Sequence, residues 1–223
     1  TQGVSSAASD VYKRQAGALA GSPINIVKAK TVDLMVPAEA EIVIEGYIST
    51  EFLEPEAPFG ESHGHVNLQE YNAFMDVTCI TRKKDAILTS IISQVTPSES
   101  SVIKRVAYEP MFTEHLRDHL GIKGVIKVSM HEPLTNIRKL IIVICERGMP
   151  STEIWRALYG AASLHRAAGK YVIAVNDDID PDNADAVFWA MAYRANPALD
   201  VEILKHRDSG HGPRSDRAGG EDA

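Results

Sequence analysis

Apolar positions along this chain change their period near its middle. From Ile24 to about Ile92 the pattern is strand-like: EIVIEGYIS alternates in part and is rich in β-branched residues, FMDVTCIT and AILTSII follow, and Gly, Pro and Asn clusters lie between them. Alternate residues share one face of a strand, so this stretch predicts a β-rich, barrel-like domain. After Pro97 the spacing becomes helical. SSVIKRVAYEPMFTEHLRDHL sets Val102, Val106, Met111 and Leu116 among polar residues. Pro110 is expected to interrupt or restart that helix, because it lacks an N–H and crowds the preceding turn. GVIKVSM then reads as a strand.

The last third is more regular. RKLIIVICE is a short continuous apolar run, the signature of a strand buried on both faces. In PSTEIWRALYGAASLHRAAGK, Ser151 or Thr152 is placed to cap a helix, Ile154, Trp155, Leu158 and Ala162 supply an apolar stripe, and Gly169 is the expected stop. KYVIAVN reads as another buried strand. Strand, helix and strand with short joints predict a βαβ unit with parallel strands and a right-handed crossover. DNADAVFWAMAYRA adds a helix with Asp182 as its expected cap. The fold class expected is therefore α+β grading into α/β, β-rich first and βαβ-containing second, with a boundary near residues 93 to 100.

Composition narrows the partners. The chain has 223 residues, an apolar share of 44% and a formal charge of −7 with both signs interspersed, so it has material for a core and no basic face for nucleic acid. Cys79 and Cys145 sit inside apolar runs, where a thiol acts as a small hydrophobe, which suits a reducing cytoplasm. LIIVICE is far shorter than the roughly 20 residues of a membrane span. SSAASDVYKRQ resembles the translation of a sequencing adapter, so residues 1–15 are expected to be disordered and foreign to the fold. Residues 206–223, rich in Gly and charge, read as a loop or a truncated tail.

Three stretches carry candidate chemistry. APFGESHGH, residues 57–65, crowds a carboxylate and two imidazoles between glycines. Its His63-x-His65-x4-Glu70 spacing matches the first metal motif of a cupin, in which alternate strand residues form a facial triad, although no second motif follows. A structural hairpin and a cofactor cradle remain open beside the metal reading. Asp178, Asp180 and Asp182 have the first spacings of a calcium loop, but Asn183 stands where Gly is needed and Trp189 where a bidentate Glu is needed. Capping of the next helix explains that run better. In TPSES, Glu99 is either a first-turn residue or, if buried beside substrate, a general acid.

Taken together, AEIVIEG at 40–46, PFGE at 58–61 with His63 and Gly64, TRKKDAI at 81–87, Pro97-Ser98-Glu99, DDID at 177–180, Trp189-Ala190, Arg194, Pro197 and Asp200 resemble the UbiD family of prenylated-FMN-dependent decarboxylases, here as the C-terminal half of a truncated member. The resemblance is collinear over about residues 20 to 200. It implies a partial flavin-reductase-like split β-barrel over 16–95, binding the cofactor, and an α/β C-terminal domain over 96–205 that mediates homo-oligomerisation.

By the same resemblance, Glu61 helps hold a divalent cation, manganese with potassium as a companion candidate, against the phosphate of prenylated FMN, and Gly60 lets the backbone approach it. A hard cation takes oxygen ligands and offsets phosphate charge that an acidic protein repels. Glu99 is implied as the catalytic proton donor, or as the acid orienting a catalytic arginine. The substrate implied is an aromatic or α,β-unsaturated carboxylic acid, with the flavin as electron sink and a flavin prenyltransferase as its supplier. The sequence departs from the family in lacking the segment with the arginine and remaining metal ligands, and Gln94 and Lys104 near Glu99 are not acids. The chain alone is therefore expected to be inactive. A cupin-like oxygenase using His63, His65 and Glu70, and a noncatalytic oligomerisation module, are the alternative readings.

Overall fold

The computed structural model describes residues 14–60, 62, 64, 66, 69–93, 95–133 and 139–205. They fall into two compact units, the first comprising residues up to 58 with 68–90, the second 59–67 with residues from 91 onward. Glu61, His63, His65 and Gln94 lie outside the described residues, as do 1–13 and the tail from 206.

The first unit is built from antiparallel pairs. Strand β1 (Ile26–Lys28) pairs with β2 (Met35–Pro37), β3 (Ile42–Ile48) with β6 (Met75–Arg82), and β4 (Glu54–Glu56) with β5 (Glu70–Asn72). The long pair carries a bulge between Glu45 and Gly46, where a Cβ on Gly46 would lie 2.3 Å from the Asp76 carbonyl oxygen. Only glycine lets the two backbones approach so closely. The bulge accompanies a buried carboxylate. Glu45 accepts from the Lys30 and Thr31 amides at 2.9 and 2.6 Å and from the Thr31 hydroxyl at 2.7 Å, and the Lys30 amide, with the help of Thr31, holds its carboxyl below the ordinary range. The described residues form small sheets and no closed barrel. AILTSII has no strand, and residues 14–20 are helical.

The second unit is a layered α/β structure. Strands β7 (Val125–Met130), β8 (Leu140–Cys145) and β9 (Tyr171–Asn176) form one sheet in that order, with β7 antiparallel and β9 parallel to the central β8. The apolar run of β8 divides by parity: Ile141, Val143 and Cys145 join Phe112, Leu116, Val128, Met130, Ala157 and Ala161, whereas Ile142 and Ile144 join Val175, Ile179, Val187 and Ala190. A strand covered on both faces needs apolar residues at both parities, as its sequence predicted. Its first layer consists of α1 (Glu99–Glu114), continued by a π-helical turn (His115–His119), and α2 (Ser151–Leu164); α3 (Ala184–Arg194) covers the other face, and a short α4 (Pro197–Asp200) follows.

Helix α1 departs from the expected stripe. Val102 and Val106 are exposed, and the buried positions are Ser101 and Phe112, then Leu116. Its polar side chains explain this orientation. β7 is an edge strand with outward amides, and the Glu109 carboxylate accepts from the Met130 N–H at 2.8 Å while the Thr113 hydroxyl accepts from the Val128 N–H at 2.9 Å. Arg117 then donates to the Ile126 carbonyl at 3.3 Å. Residues at i, i+4 and i+8 of one helix face thus cover the open sheet edge. Pro110 does not break α1, which runs through it. Three cap assignments also shift: α2 begins after Pro150 with no side-chain cap and ends at Leu164, before Gly169, and Asn183 rather than Asp182 caps α3 by accepting from the Ala186 amide.

Candidate functional site

The second unit gathers two of the stretches singled out by sequence. Gly60 and Val66 form an isolated antiparallel bridge that closes the loop between them, and Gly64 takes a left-handed φ of 88°, which favours glycine. The Ser62 carbonyl accepts from the Thr96 amide at 3.1 Å. That bond ties the loop to the turn three residues before Glu99.

The turn is braced from within. Thr96 precedes a cis proline, Ser98 is the N-cap of α1, and Ser98 and Ser101 form a reciprocal capping box. Glu132, buried just beyond β7, accepts from the Ser98 amide at 3.2 Å and from the Ser101 hydroxyl. A carboxylate at the amino end of a helix meets the positive end of its dipole and the orphan amides there. Glu99 is the first residue of α1 and exposed, and its carboxylate accepts from the Ile92 amide at 2.8 Å. Ser100 donates to Ser93 at 3.0 Å, so two bonds fold the incoming chain over this turn.

One polar atom in the turn is unsatisfied. Thr96 is 2% exposed, and its hydroxyl has no hydrogen-bond partner among the described residues. In the loop, a Cβ built on Gly60 would meet nothing within 4 Å. The open glycine backbone leaves room for a group to approach the loop, while the carboxylates described at the turn, Glu99 and Glu132, are already hydrogen-bonded. Glu61, implied as the metal ligand, lies outside the described residues, and no cluster of three or more metal-ligating side chains occurs among those described. Glu70, the third member of the cupin triad, is exposed on β5 and faces Glu56 across the pair.

The acidic run after β9 is already engaged. Arg194 grips Asp178 through two bonds of 2.8 and 2.7 Å, and this guanidinium, with Arg147 more distant, pulls the Asp178 carboxyl down to about 2. Asp177 meets Arg147 at 3.1 Å, Asp182 meets Arg105 at 2.5 Å, and Asp180 closes a turn onto the Asp182 amide. Arg194 also stacks over Trp189 at 4.9 Å. These carboxylates are spent on ion pairs and a turn within the second unit, in keeping with the structural reading of DDID. Burial alone pushes the Cys145 thiol up to about 11, so it is packing and not a nucleophile. A cavity of about 660 Å³ opens in the first unit, lined by Gly17, Ala18, Pro23, Ile24 and Ile26, and contains none of the candidate residues.

Two family models match the chain: the Rift-related domain of 3-octaprenyl-4-hydroxybenzoate carboxy-lyase over residues 12–95 and its C-terminal domain over residues 101–219. The chain belongs to the UbiD family. Among solved structures it is similar to the UbiD-class enzyme HmfF of Pelotomaculum thermopropionicum in complex with FMN, at 28% identity and a TM-score of 0.68, over 82% of this chain and 40% of that one. An evolved dimeric form of the same enzyme with prFMN matches at 28% identity and a TM-score of 0.67, over 85% of this chain and 43% of that one. The vanillic acid decarboxylase of Sedimentibacter hydroxybenzoicus, in open form, matches at 25% identity and a TM-score of 0.65, over 84% of this chain and 40% of that one. This UbiD chain thus spans about 40% of the length of these relatives. No helix among its described residues is long and apolar enough to cross a membrane.

Thr96, Ser62 and Glu132 were missed by sequence reasoning. The serine pair at 98 and 101 is a legible cap signal, but nothing in MHEP marks Glu132 as the carboxylate that completes it.

Proposed function

We propose that this chain supplies the cofactor-phosphate loop and one acid of a UbiD-type decarboxylase that acts on an aromatic or α,β-unsaturated carboxylic acid through prenylated FMN and manganese. What supports the reading is the bond from the Thr96 amide to the Ser62 carbonyl, which fastens the glycine loop beside Glu61 to the turn that bears Glu99. The relatives bound to FMN or prFMN support the cofactor. When bound, the flavin supplies an electron sink for the carbon that loses carbon dioxide. The protein's share is positional: Gly60 gives backbone access, Glu61 holds the cation, and Glu99 at the mouth of α1 moves the proton. The finer fold reading, a partial split barrel before an α/β domain that self-associates, belongs to the same proposal, as do a cytoplasmic setting and a prenyltransferase that delivers the cofactor.

The test is binding and turnover side by side. Glu61→Gln is expected to weaken manganese-dependent FMN binding about tenfold or more, while His63→Ala and His65→Ala leave it unchanged. Equal losses at the histidines would favour the triad reading with Glu70 instead. The 223-residue chain is expected to release no carbon dioxide from an aromatic acid even after co-expression with a prenyltransferase, and turnover by it would refute the incomplete-site reading.

A further inference from the structure

The start of α1 carries more acceptors than its cap requires. Ser98 and Ser101 already satisfy one another: the Ser98 hydroxyl accepts from the Ser101 amide at 3.3 Å, and the Ser101 hydroxyl accepts from the Ser98 amide at 2.9 Å. Glu132 nevertheless accepts from that same Ser98 amide at 3.2 Å and from the Ser101 hydroxyl, and it is buried at 5% exposure. Burying a carboxylate opposes folding, and a completed cap does not call for one. Its placement shows what it adds. Glu132 follows directly on the last ladder bond of β7, from the His131 amide to the Leu140 carbonyl at 3.1 Å, two residues after the sealed Met130. It ties the first turn of α1 to the sheet. Glu99 sits inside that turn, between the two serines. Its Oε2 accepts from the Ile92 amide at 2.8 Å, and its Oε1 has no hydrogen bond among the described residues, so one oxygen is held and the other is free to carry a proton.

We propose that Glu132 is a positioning residue: through Ser98 and Ser101 it fixes the first turn of α1, and with it the direction in which Glu99 presents its free oxygen. This rests on the reading of Glu99 as proton donor and adds to it the group that aims it. An acid must lie within hydrogen-bond reach of the atom it protonates, and a side chain on a fraying helix end does not hold such a position. A carboxylate anchored beside a core strand removes that freedom without touching substrate.

The Ile92 amide reports the position of Glu99, since its hydrogen bond ends on that carboxylate. Amide exchange followed by NMR on the ligand-free chain reads it, with the buried Ile142 of β8 as the control for overall stability. Glu132→Ala is expected to speed exchange at Ile92 about tenfold or more beyond any change at Ile142. Glu132→Gln keeps an acceptor oxygen for both serines and is expected to stay within about threefold of wild type. Glu99→Ala removes the reporting bond, and adding Glu132→Ala to it is expected to change Ile92 by less than about twofold, because the brace acts there only through Glu99. Ile92 exchange unchanged in Glu132→Ala overturns the proposal, as do equal rates in the alanine and glutamine variants. An equal acceleration at Ile142, the mark of a residue that merely stabilises the fold, overturns it too, and so does a further acceleration in the double variant. Should the alanine variant not fold, Glu132→Asp carries the test: it withdraws the charge by one methylene and is expected to speed Ile92 about threefold or more with Ile142 unchanged, and a wild-type rate there overturns the proposal. None of these rates depends on a cofactor. Their failure overturns the positioning role and leaves the decarboxylase reading standing, whereas that reading falls on the Glu61→Gln result.

Discussion

The two units use their apolar residues in opposite ways. In the second, Phe112, Leu116, Val125, Met130, Ile141 and Val143 are all but sealed from solvent, and helices cover both faces of the sheet. In the first, Ile44, Tyr47, Ile48, Val77 and Ile80 lie on a two-stranded ladder and are each more than half exposed. Among the described residues these two strands pair only with one another and no second layer covers them, so the same residue types that form a core in one unit form a surface in the other. The unit with the closed core is also the one that presents Glu99 and the glycine loop, and such a scaffold can hold a turn within the tolerance that a site requires.

The contrast is sharpest at single residues. Phe112→Ala should cost about 3–5 kcal/mol in urea-induced unfolding of the second unit, because a ring at zero exposure leaves a cavity. A loss below about 1 kcal/mol would mean that the core is not packed as described. Gly46→Ala should destabilise the β3–β6 pair by about 1–3 kcal/mol, read as faster amide exchange in those strands, because the new methyl meets backbone and not a side chain that can turn away. Asp178→Asn tests the ion pair at the sheet's end. Arg194 depresses the Asp178 carboxyl to about 2, so its stabilisation is complete above the ordinary carboxylate range and is lost as pH falls through that value. The variant should therefore unfold more easily than wild type at about pH 6, and the two should converge toward about pH 2. Ile44→Ala, at 54% exposure, should change stability by no more than about 0.5 kcal/mol. A large effect there would show that the first unit's ladder is covered after all.

What the sequence disclosed follows from how each element is stabilised. β8, α2 and β9 were legible because apolar burial dictates them, and burial leaves a period in the chain. α1 was legible as a helix but not in its rotation, since Glu109, Thr113 and Arg117 orient it through bonds to an edge strand and hydropathy is blind to such bonds. AILTSII reads as a strand and is not one, because β-branched residues state a preference and strand pairing needs a partner. Of the candidate site, Glu99 and Gly60 are proposals that rest on motif resemblance. The fastening of Ser62 to Thr96 and the brace from Glu132 join residues more than thirty positions apart, and no local spacing records them.

Glu132 has a consequence for what can be recruited to this corner of the protein. A helix start normally lures anions, yet here the lure is already occupied by a side chain from the protein's own sheet. An approaching anion therefore meets a negative charge already seated at this corner, which discourages it instead of drawing it in.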